Sequence, residues 1–390
     1  MIVVDVIAVA AFIAALAIGV SRGFFATAGT LVGLVVGALA AYWLVPVAGV
    51  FLPGGAWRGI LLAGGAIFLV LLGAAVGTAI GTALRKGVER TALRGIDRVL
   101  GGVLNVVTTA LVLLLVGTTV TATGTPLVAS AVASSRVLRM IDAFTPTPVD
   151  AALAQLRGAV LDDGLPRLGE LLQPQAQPTA PPVALDDPEL QRAAASVARI
   201  SGTASACGVA MTGSGFVAAD DLVVTNAHVL AGVDSPLVEL PGGTAREGRV
   251  VYFDPVDDLA VIAVDDLPAE PLAIVETIGP GAPAVVQGYP LGGPLTSTSA
   301  HVLSVGAVPV PDIYGESAAL REIYSLQSDV QPGNSGGPLL TGDGEVAGVV
   351  FARGDVGQGL GYAMTPVELA PALAAASADS PTTSTGACTR

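Results

Sequence analysis

Four long apolar stretches occupy the first third of this 390-residue chain. They cover residues 2–20, 24–51, 60–84 and 100–120, and each is long enough to cross a hydrocarbon layer of about 30 Å. Inside lipid a backbone has no water to bond with, so such segments must be helical. The first stretch alone would also fit a cleaved signal peptide, but Asp5 stands where a positive charge is usual. The sequence predicts a four-helix transmembrane bundle over residues 1–125.

Basic residues in the connections indicate the orientation of this bundle. Arg22 follows the first stretch, and the connection after the second carries only Arg58. The connection after the third is strongly basic, with Arg85, Lys86, Arg90, Arg94 and Arg98. Because cytoplasmic loops are enriched in Lys and Arg, we expect the first and third connections inside the cell. Both termini, and everything after residue 125, are then extracytoplasmic, on the periplasmic or cell-wall side.

The rest of the chain is acidic and divides into a stalk and a β-rich domain. Residues 126–390 contain 11 Lys and Arg against 29 Asp and Glu, which disfavours a nucleic-acid partner. Residues 126–190 combine short apolar repeats with a proline-rich run from Gln173 to Pro182, which predicts amphipathic helices followed by an extended linker. We interpret that linker as a spacer, with a self-cleavage site as the alternative. Over 191–390, β-branched runs separated by Gly, Pro and Asp predict an all-β domain.

Three short motifs in the β-rich domain suggest nucleophilic catalysis. A serine hydroxyl needs a base to take its proton and donors to hold the oxyanion. Glycines around Ser335 permit a tight turn that points the N–H groups of Gly333 and Ser335 at one spot. His228 follows an apolar strand and is the candidate base. The acidic turn over residues 254–258, before another apolar strand, contains the candidate acid, either Asp258 or the neighbouring Asp257.

The order of these residues distinguishes two classes of hydrolase. Gly-x-Ser-x-Gly at 333–337 also fits the nucleophile elbow of α/β-hydrolases, which requires a histidine after the serine. The chain has two histidines, and both precede Ser335. The order His228, Asp258, Ser335 is instead that of the chymotrypsin-type triad.

The motifs Thr225–His228, Asp258–Val261 and Gly333–Leu339 resemble the HtrA-like branch of the trypsin-like serine proteases. That resemblance implies a chymotrypsin-like double β-barrel, six strands in each, with the active site between the barrels and no cofactor. By the same match the acid is Asp258, with Asp257 as the alternative because adjacent strand residues face opposite ways. The four-span module is similar to the colicin V production protein family. Together, the modules resemble actinobacterial membrane-anchored acid-resistance proteases of the MarP type. The resemblance implies an endopeptidase that cleaves cell-envelope proteins or peptides under acid and oxidative stress.

Four further residues are candidates for other roles. Ser214 is interpreted as a strand-turn residue rather than a second nucleophile, and His301 as a surface or packed strand residue. Cys207 and Cys388, in an exported chain, predict one disulfide, with two free thiols as the alternative. Neither cysteine has a further ligand at metal-binding spacing, so no metal site is expected.

A different class of function stays open beside the protease. The chain could be a membrane scaffold or sensor whose protease fold is catalytically latent. The complete set of His228, Asp258 and Ser335 argues against that alternative. The sequence does not indicate an oligomeric state.

Overall fold

The computed structural model describes residues 2–51, 57–88, 93–123, 135–146, 149, 166, 168, 172, 175, 180–204, 209–354 and 359–389. The chain divides into two compact units, residues 2–114 and 115–390. Each unit is described by itself.

The first unit is built from α1 (Ile2–Phe51), α2 (Trp57–Val88) and α3 (Arg94–Thr123). In the described part of the chain, these three helices are long and apolar enough to cross a membrane. At about 1.5 Å per residue, the 50 residues of α1 would far exceed the hydrocarbon thickness. The backbone of α1 is broken at Gly23 (φ 74°, ψ 169°). The sequence predicts four helices, whereas the described structure has three, because the first two stretches are joined in α1 and separated there by one non-helical residue rather than by a loop.

Glycines bring these helices into backbone contact. A Cβ added at Gly33 would collide with the carbonyl of Gly73 on α2, and one added at Gly19 with the carbonyl of Gly101 on α3. The segments of α1 before and after the break thus pack on different helices. Close backbone approach through small residues is the usual way that membrane helices associate.

Two charged side chains satisfy the backbone at the Gly23 break. Interrupting a helix leaves carbonyls unpaired on one side and N–H groups on the other. Arg85 of α2 donates to the carbonyls of Ser21 (2.8 Å) and its neighbour. Asp97 of α3 accepts from the N–H of Phe25 at 3.2 Å. The Arg85 Nε and Asp97 Oδ2 atoms lie 3.6 Å apart, so one ion pair serves both ends of the break.

The predicted stalk is described in part. Helix α4 (Arg136–Phe144) is amphipathic, as expected. The part of the predicted stalk from 150 to 165 lies outside the described residues.

The protease-like region begins with α5 (Pro188–Ala194) and a curled antiparallel sheet. Asp187 caps α5 by accepting from the N–H of Glu189. The sheet order is β5-β4-β1-β2-β3-β7-β6. Its strands are β1 (Val197–Ala204), β2 (Val209–Ala219), β3 (Leu222–Thr225), β4 (Leu237–Glu239), β5 (Arg246–Glu247), β6 (Arg249–Asp254) and β7 (Leu259–Ala263). The helical turn α6 (Ala227–Leu230) follows β3.

A second antiparallel sheet closes into a six-stranded barrel in the order β10-β13-β12-β11-β8-β9. Its strands are β8 (Pro283–Gly288), β9 (Thr296–Pro311), β10 (Ala318–Gln327), β11 (Pro338–Leu340), β12 (Val346–Arg353) and β13 (Leu360–Met364), and α7 (Pro366–Ala375) follows them. The expected helical and double-barrel fold class is confirmed. The first sheet has seven described strands rather than six, because the two-residue β5 adds to one edge.

One hydrophobic core joins the two sheets. Phe216 and Val224 from the first sheet pack in the same cluster as Val285, Ile323 and Tyr362 from the second, and all five are fully buried. Burying side chains of this size contributes about 1.5–3 kcal/mol each. The shared core fixes one barrel against the other, and therefore fixes the cleft between them.

Part of the proline-rich linker lies along the second barrel. The N–H of Gln175 donates to the carbonyl of Leu303 on β9 at 2.9 Å, and its side chain donates to Val305 at 3.1 Å. Leu172 packs against the hydrophobic core that joins the two sheets. At these positions the segment is docked, whereas the sequence suggested a freely exposed spacer.

Candidate active site

The fold brings His228 to the start of a short, buried helical turn. All four residues of β3 are buried, and the chain leaves the strand into α6, which carries His228. The side-chain amide of Asn226 donates to the backbone carbonyl of Asp258 at 2.9 Å. The turn that carries the histidine is therefore tied directly to the acidic turn.

Asp258 and His228 form a buried, hydrogen-bonded pair. The Asp258 carboxylate oxygens lie 2.8 and 3.0 Å from His228 Nδ1. One oxygen also accepts from the His228 backbone N–H at 2.9 Å. An ionised carboxylate can only accept, so Nδ1 carries the proton and Nε2 is left as the acceptor. That is the tautomer a general base requires.

A left-handed backbone selects Asp258 over its neighbour. The Asp254 side chain accepts from the N–H groups of Val256 and Asp257 and forms a local turn. Asp258 then adopts φ 55°, a region that Asp tolerates better than most residues. This turn directs its side chain to His228. Asp257 stays half-buried, and burial, followed by the charge of Asp254, raises its pKa.

Ser335 lies in a loop seated against β2, the strand that pairs with the one preceding the histidine. A Cβ at Gly213 would lie 2.7 Å from Val229 Cγ2 and 3.0 Å from the Ser335 carbonyl. Ser335 and the residue after His228 thus flank the same glycine. Among the described residues, neither Ser335 Oγ nor His228 Nε2 has a hydrogen-bond partner, although both atoms are buried. Catalytic hydrogen bonds are often long or misaligned in a ligand-free site.

The peptides around Gly333 are held by their carbonyl groups. Gly333 adopts φ 94°, and a Cβ there would collide with the Tyr289 carbonyl, so only glycine fits. The Pro332 carbonyl accepts from Leu291 N–H at 2.6 Å. Because the two polar groups of a trans peptide point in opposite directions, the N–H of Gly333 is turned away from Leu291. That orientation suits an oxyanion donor.

Neither Ser214 nor His301 is placed to act as the nucleophile or the base. Ser214 is inside β2, and its hydroxyl bonds to backbone groups. His301 Nε2 lies 3.1 Å from the carbonyl oxygen of Ala180, in the linker. Both positions agree with the interpretation as strand residues.

One charged residue near the site gave no signal in the sequence. Arg321 on β10 is 1% exposed, donates to the carbonyl of Pro311, and has its guanidinium 5.5 Å from the ring centre of Phe351. Burial lowers the pKa of Arg321, and the charges of Asp258 and Asp257 oppose that shift. A buried cation therefore faces the acidic turn. Nothing in the alternating pattern of β10 distinguishes an inward arginine from an outward one.

The C-terminal tail lies beside the helical turn of the candidate base. Gly232 donates to the carbonyl of Thr385 at 3.2 Å, and Thr383 donates to Val250 at 2.7 Å. The described residues contain no free cysteine. Cys207 lies outside them, so its pairing with Cys388 stays a prediction. The described residues also contain no cluster of three or more potential metal ligands.

Comparison with known proteins agrees with this arrangement. Residues 213–349 match the trypsin-like peptidase domain family, and residues 4–146 match the colicin V production protein family. Serine protease Rv3671c of Mycobacterium tuberculosis is 37% identical over 271 residues, covering 67% of each chain. The chain belongs to the trypsin-like serine protease family.

One further relative and one solved structure define this membership more closely. A probable periplasmic serine endoprotease, DegP-like, from Halomonas elongata is 35% identical over 166 residues, covering 40% of this chain and 33% of the relative. The crystal structure of the Rv3671c protease in its active form has 36% identity and a TM-score of 0.51, covering 56% of this chain and 100% of that one. This trypsin-like protease is a serine endopeptidase of the HtrA-like type, with a module of the colicin V production type whose described helices are long and apolar enough to cross a membrane.

A half-buried carboxylate predicts how stability depends on pH in this protease. Burial raises the pKa of Glu368 above its ordinary value of 4.5, opposed by a hydrogen bond from the Glu322 N–H. The charges of Asp257 and Glu322 raise it further, and that of Arg321 lowers it. Because the folded state binds the proton more tightly, stability increases as the pH falls from neutral through this raised pKa.

We expect Glu368→Gln to reduce that increase, since Gln keeps an acceptor for Glu322 but cannot ionise. Solvent screening limits the effect to about 0.5 kcal/mol, roughly 1–2 °C in melting temperature. Thermal unfolding of the two proteins between pH 7 and pH 4.5 checks it. A variant whose melting temperature changes with pH as steeply as that of the wild type would contradict the assignment.

Proposed function

We propose that this protease is extracytoplasmic and hydrolyses peptide bonds of cell-envelope proteins through Ser335, His228 and Asp258. The observation that carries the proposal is the buried His228–Asp258 pair, which leaves Nε2 as a free acceptor next to the serine loop. A histidine held in this tautomer by a carboxylate is what a serine nucleophile requires.

The proposed reaction is acyl transfer to water. His228 Nε2 takes the Ser335 proton while Oγ attacks the peptide carbonyl carbon. The oxyanion is held by the N–H groups of Gly333 and Ser335. The protonated histidine, stabilised by the Asp258 carboxylate, then gives its proton to the leaving amine as the C–N bond breaks. Water, deprotonated by the same nitrogen, releases the acyl group and regenerates Ser335.

The apolar segments and their flanking charges support the proposed location. Four helical segments cross the cell membrane, with the basic connections inside and the protease on the periplasmic or cell-wall side. The DegP-like relative is named as periplasmic, which agrees with this orientation. Envelope proteins and peptides are then the substrates within reach, and resistance to acid and oxidative stress is the proposed role.

The test uses the full chain in its native membrane and in detergent, beside Ser335→Ala. Both are treated with a serine-reactive fluorophosphonate probe and with a peptide library. Labelling and cleavage by the wild type alone are expected. Protease added to intact spheroplasts should remove the acidic region while sparing the helices. A folded wild type that neither labels nor cleaves would favour the latent scaffold, and a protected acidic region would reverse the topology.

We also propose the disulfide between Cys207 and Cys388. A Cβ added at Gly232 would lie 2.8 Å from Cys388 Sγ and 3.3 Å from the Ala204 Cβ. The sulfur therefore lies beside the end of β1, three residues before Cys207. The bond would hold the tail beside the helical turn that carries His228.

Replacing Cys388 with serine is expected to destabilise the protease by about 2–4 kcal/mol, lowering the melting temperature by roughly 5–10 °C. Reductant should have the same effect on the wild type and none on the variant. Thermal unfolding of both proteins, with and without reductant, measures this. Equal melting temperatures in all four samples would remove any structural role for the bond.

A further inference from the structure

Ser214 connects the first sheet to the loop that carries the candidate nucleophile. Its side chain is fully buried. Its Oγ lies 2.6 Å from the Gly333 carbonyl oxygen and 2.8 Å from the Tyr289 backbone nitrogen. A carbonyl only accepts and an N–H only donates, so the hydroxyl donates to Gly333 and accepts from Tyr289. The Ser214 backbone N–H donates to the Ser335 carbonyl at 2.7 Å.

We propose that Ser214 is a positioning residue for peptide hydrolysis, because its hydroxyl holds the Gly333 carbonyl and thereby the orientation of the oxyanion donors. The inference rests on the proposed function. Ser214 itself touches neither the substrate nor the reacting atoms and acts through Gly333.

The backbone of Gly333 needs such a restraint. Its φ of 94° lies in a region that glycine enters and leaves without steric cost. On the N-terminal side, the Pro332 carbonyl is held by Leu291. On the C-terminal side, the Gly333 carbonyl is held by the Ser214 hydroxyl. The first of these peptides carries the Gly333 N–H. The second lies between the two proposed donors, so its rotation would change how the N–H groups of Gly333 and Ser335 are oriented relative to each other.

Ser214 also holds the same loop at a second point. Through its N–H it binds the carbonyl of Ser335, two residues beyond Gly333. Its own carbonyl accepts from the Thr225 hydroxyl at 2.7 Å, at the end of the strand that leads to His228. One buried residue thus bonds to Gly333, Ser335 and Thr225. The serine hydroxyl makes the contacts with the Gly333 carbonyl and the Tyr289 N–H, so a substitution can remove these and leave the two backbone contacts.

The test is steady-state hydrolysis by the full chain in detergent. We expect Ser214→Ala to lower kcat by about 10- to 100-fold, less than the 10²–10³-fold loss on deleting an oxyanion donor outright, and to change KM by less than about twofold. A peptide aldehyde, whose hemiacetal oxygen occupies the oxyanion position, should bind more weakly by the same factor as kcat falls. The corresponding product peptide should bind as it does to the wild type.

Ser196→Ala is the matched control. Ser196 is also buried, and its hydroxyl donates to a backbone carbonyl, that of Glu270, at 2.7 Å. It has no contact with the Gly333 loop among the described hydrogen bonds. We expect this variant to lose stability but to keep kcat and aldehyde affinity. An equal fall in kcat in both variants would show a general effect of buried serines and would overturn the proposal.

A second substitution keeps the proposal testable if Ser214→Ala does not fold. Ser214→Cys keeps the approximate volume and a weak donor, so we expect a smaller fall in kcat, about two- to tenfold, with KM unchanged. Wild-type kcat and aldehyde affinity in a folded Ser214→Ala, or in Ser214→Cys if the alanine variant does not fold, would overturn the positioning role. Absence of turnover in the wild type itself would instead overturn the proposed function.

Discussion

Replacing Ser335 with alanine is expected to lower kcat for peptide hydrolysis by about 10⁴- to 10⁶-fold, because the attacking oxygen is lost. The fold should be unaffected. Ser335 Oγ has no hydrogen-bond partner among the described residues, so the substitution removes no described contact. The measurement is single-turnover hydrolysis of a peptide found by the library screen, together with thermal unfolding of both proteins.

Ser304→Ala provides the matched control for this loss. Ser304 is fully buried, and its hydroxyl likewise has no described hydrogen-bond partner. It lies on β9, away from His228. Its replacement should leave both kcat and melting temperature close to those of the wild type. Hydrolysis retained by purified Ser335→Ala would refute the nucleophile assignment, whatever the control shows.

Replacing Asp258 with asparagine is expected to lower kcat by about 10⁴-fold. The carboxylate accepts from both the backbone and Nδ1 of His228. An amide offers one oxygen and an NH₂ group, which favours the opposite tautomer and leaves Nε2 protonated. Fluorophosphonate labelling should slow in proportion.

Asp257→Asn is the control at the adjacent position. Asp257 has no hydrogen bond to His228 in the described structure, and its pKa is raised chiefly by burial. We expect kcat within about threefold of the wild type and a slight gain in stability at neutral pH, since a buried charge is removed. If Asp257→Asn proved the more damaging of the two, the acid would move by one residue.

The large features of the fold could be predicted from the sequence because each depends on a residue pattern that tertiary packing does not override. Apolar stretches of membrane length predicted the helical segments, and β-branched runs with turn residues predicted the double barrel. The break at Gly23 could not be predicted from the sequence. Gly23 lies next to Phe24 in an apolar run, and no local sequence feature distinguishes it from the glycines at which the helices pack. Its partners, Arg85 and Asp97, lie on other helices.

In the candidate site too, some residues could be predicted from the sequence and others could not. The motifs around His228 and Ser335 predicted these residues as the base and the nucleophile. The chain order then excluded the competing hydrolase class. The sequence could not decide between Asp257 and Asp258, because the deciding feature is a positive φ at one residue of a turn. It also gave no sign of Arg321 or of the Ser214 hydroxyl bonds, which exist only once the two barrels have met.

The ion pair at the Gly23 break has a consequence for biogenesis. The Arg22 carbonyl and the Phe25 N–H find their side-chain partners 63 and 72 residues later in the chain. While the ribosome is still synthesising α2, only water can serve these groups, because hydrocarbon offers none. We therefore expect nascent α1 to stay at the aqueous surface of the membrane, and its 50 residues to reach their final packing only after Asp97 has left the ribosome.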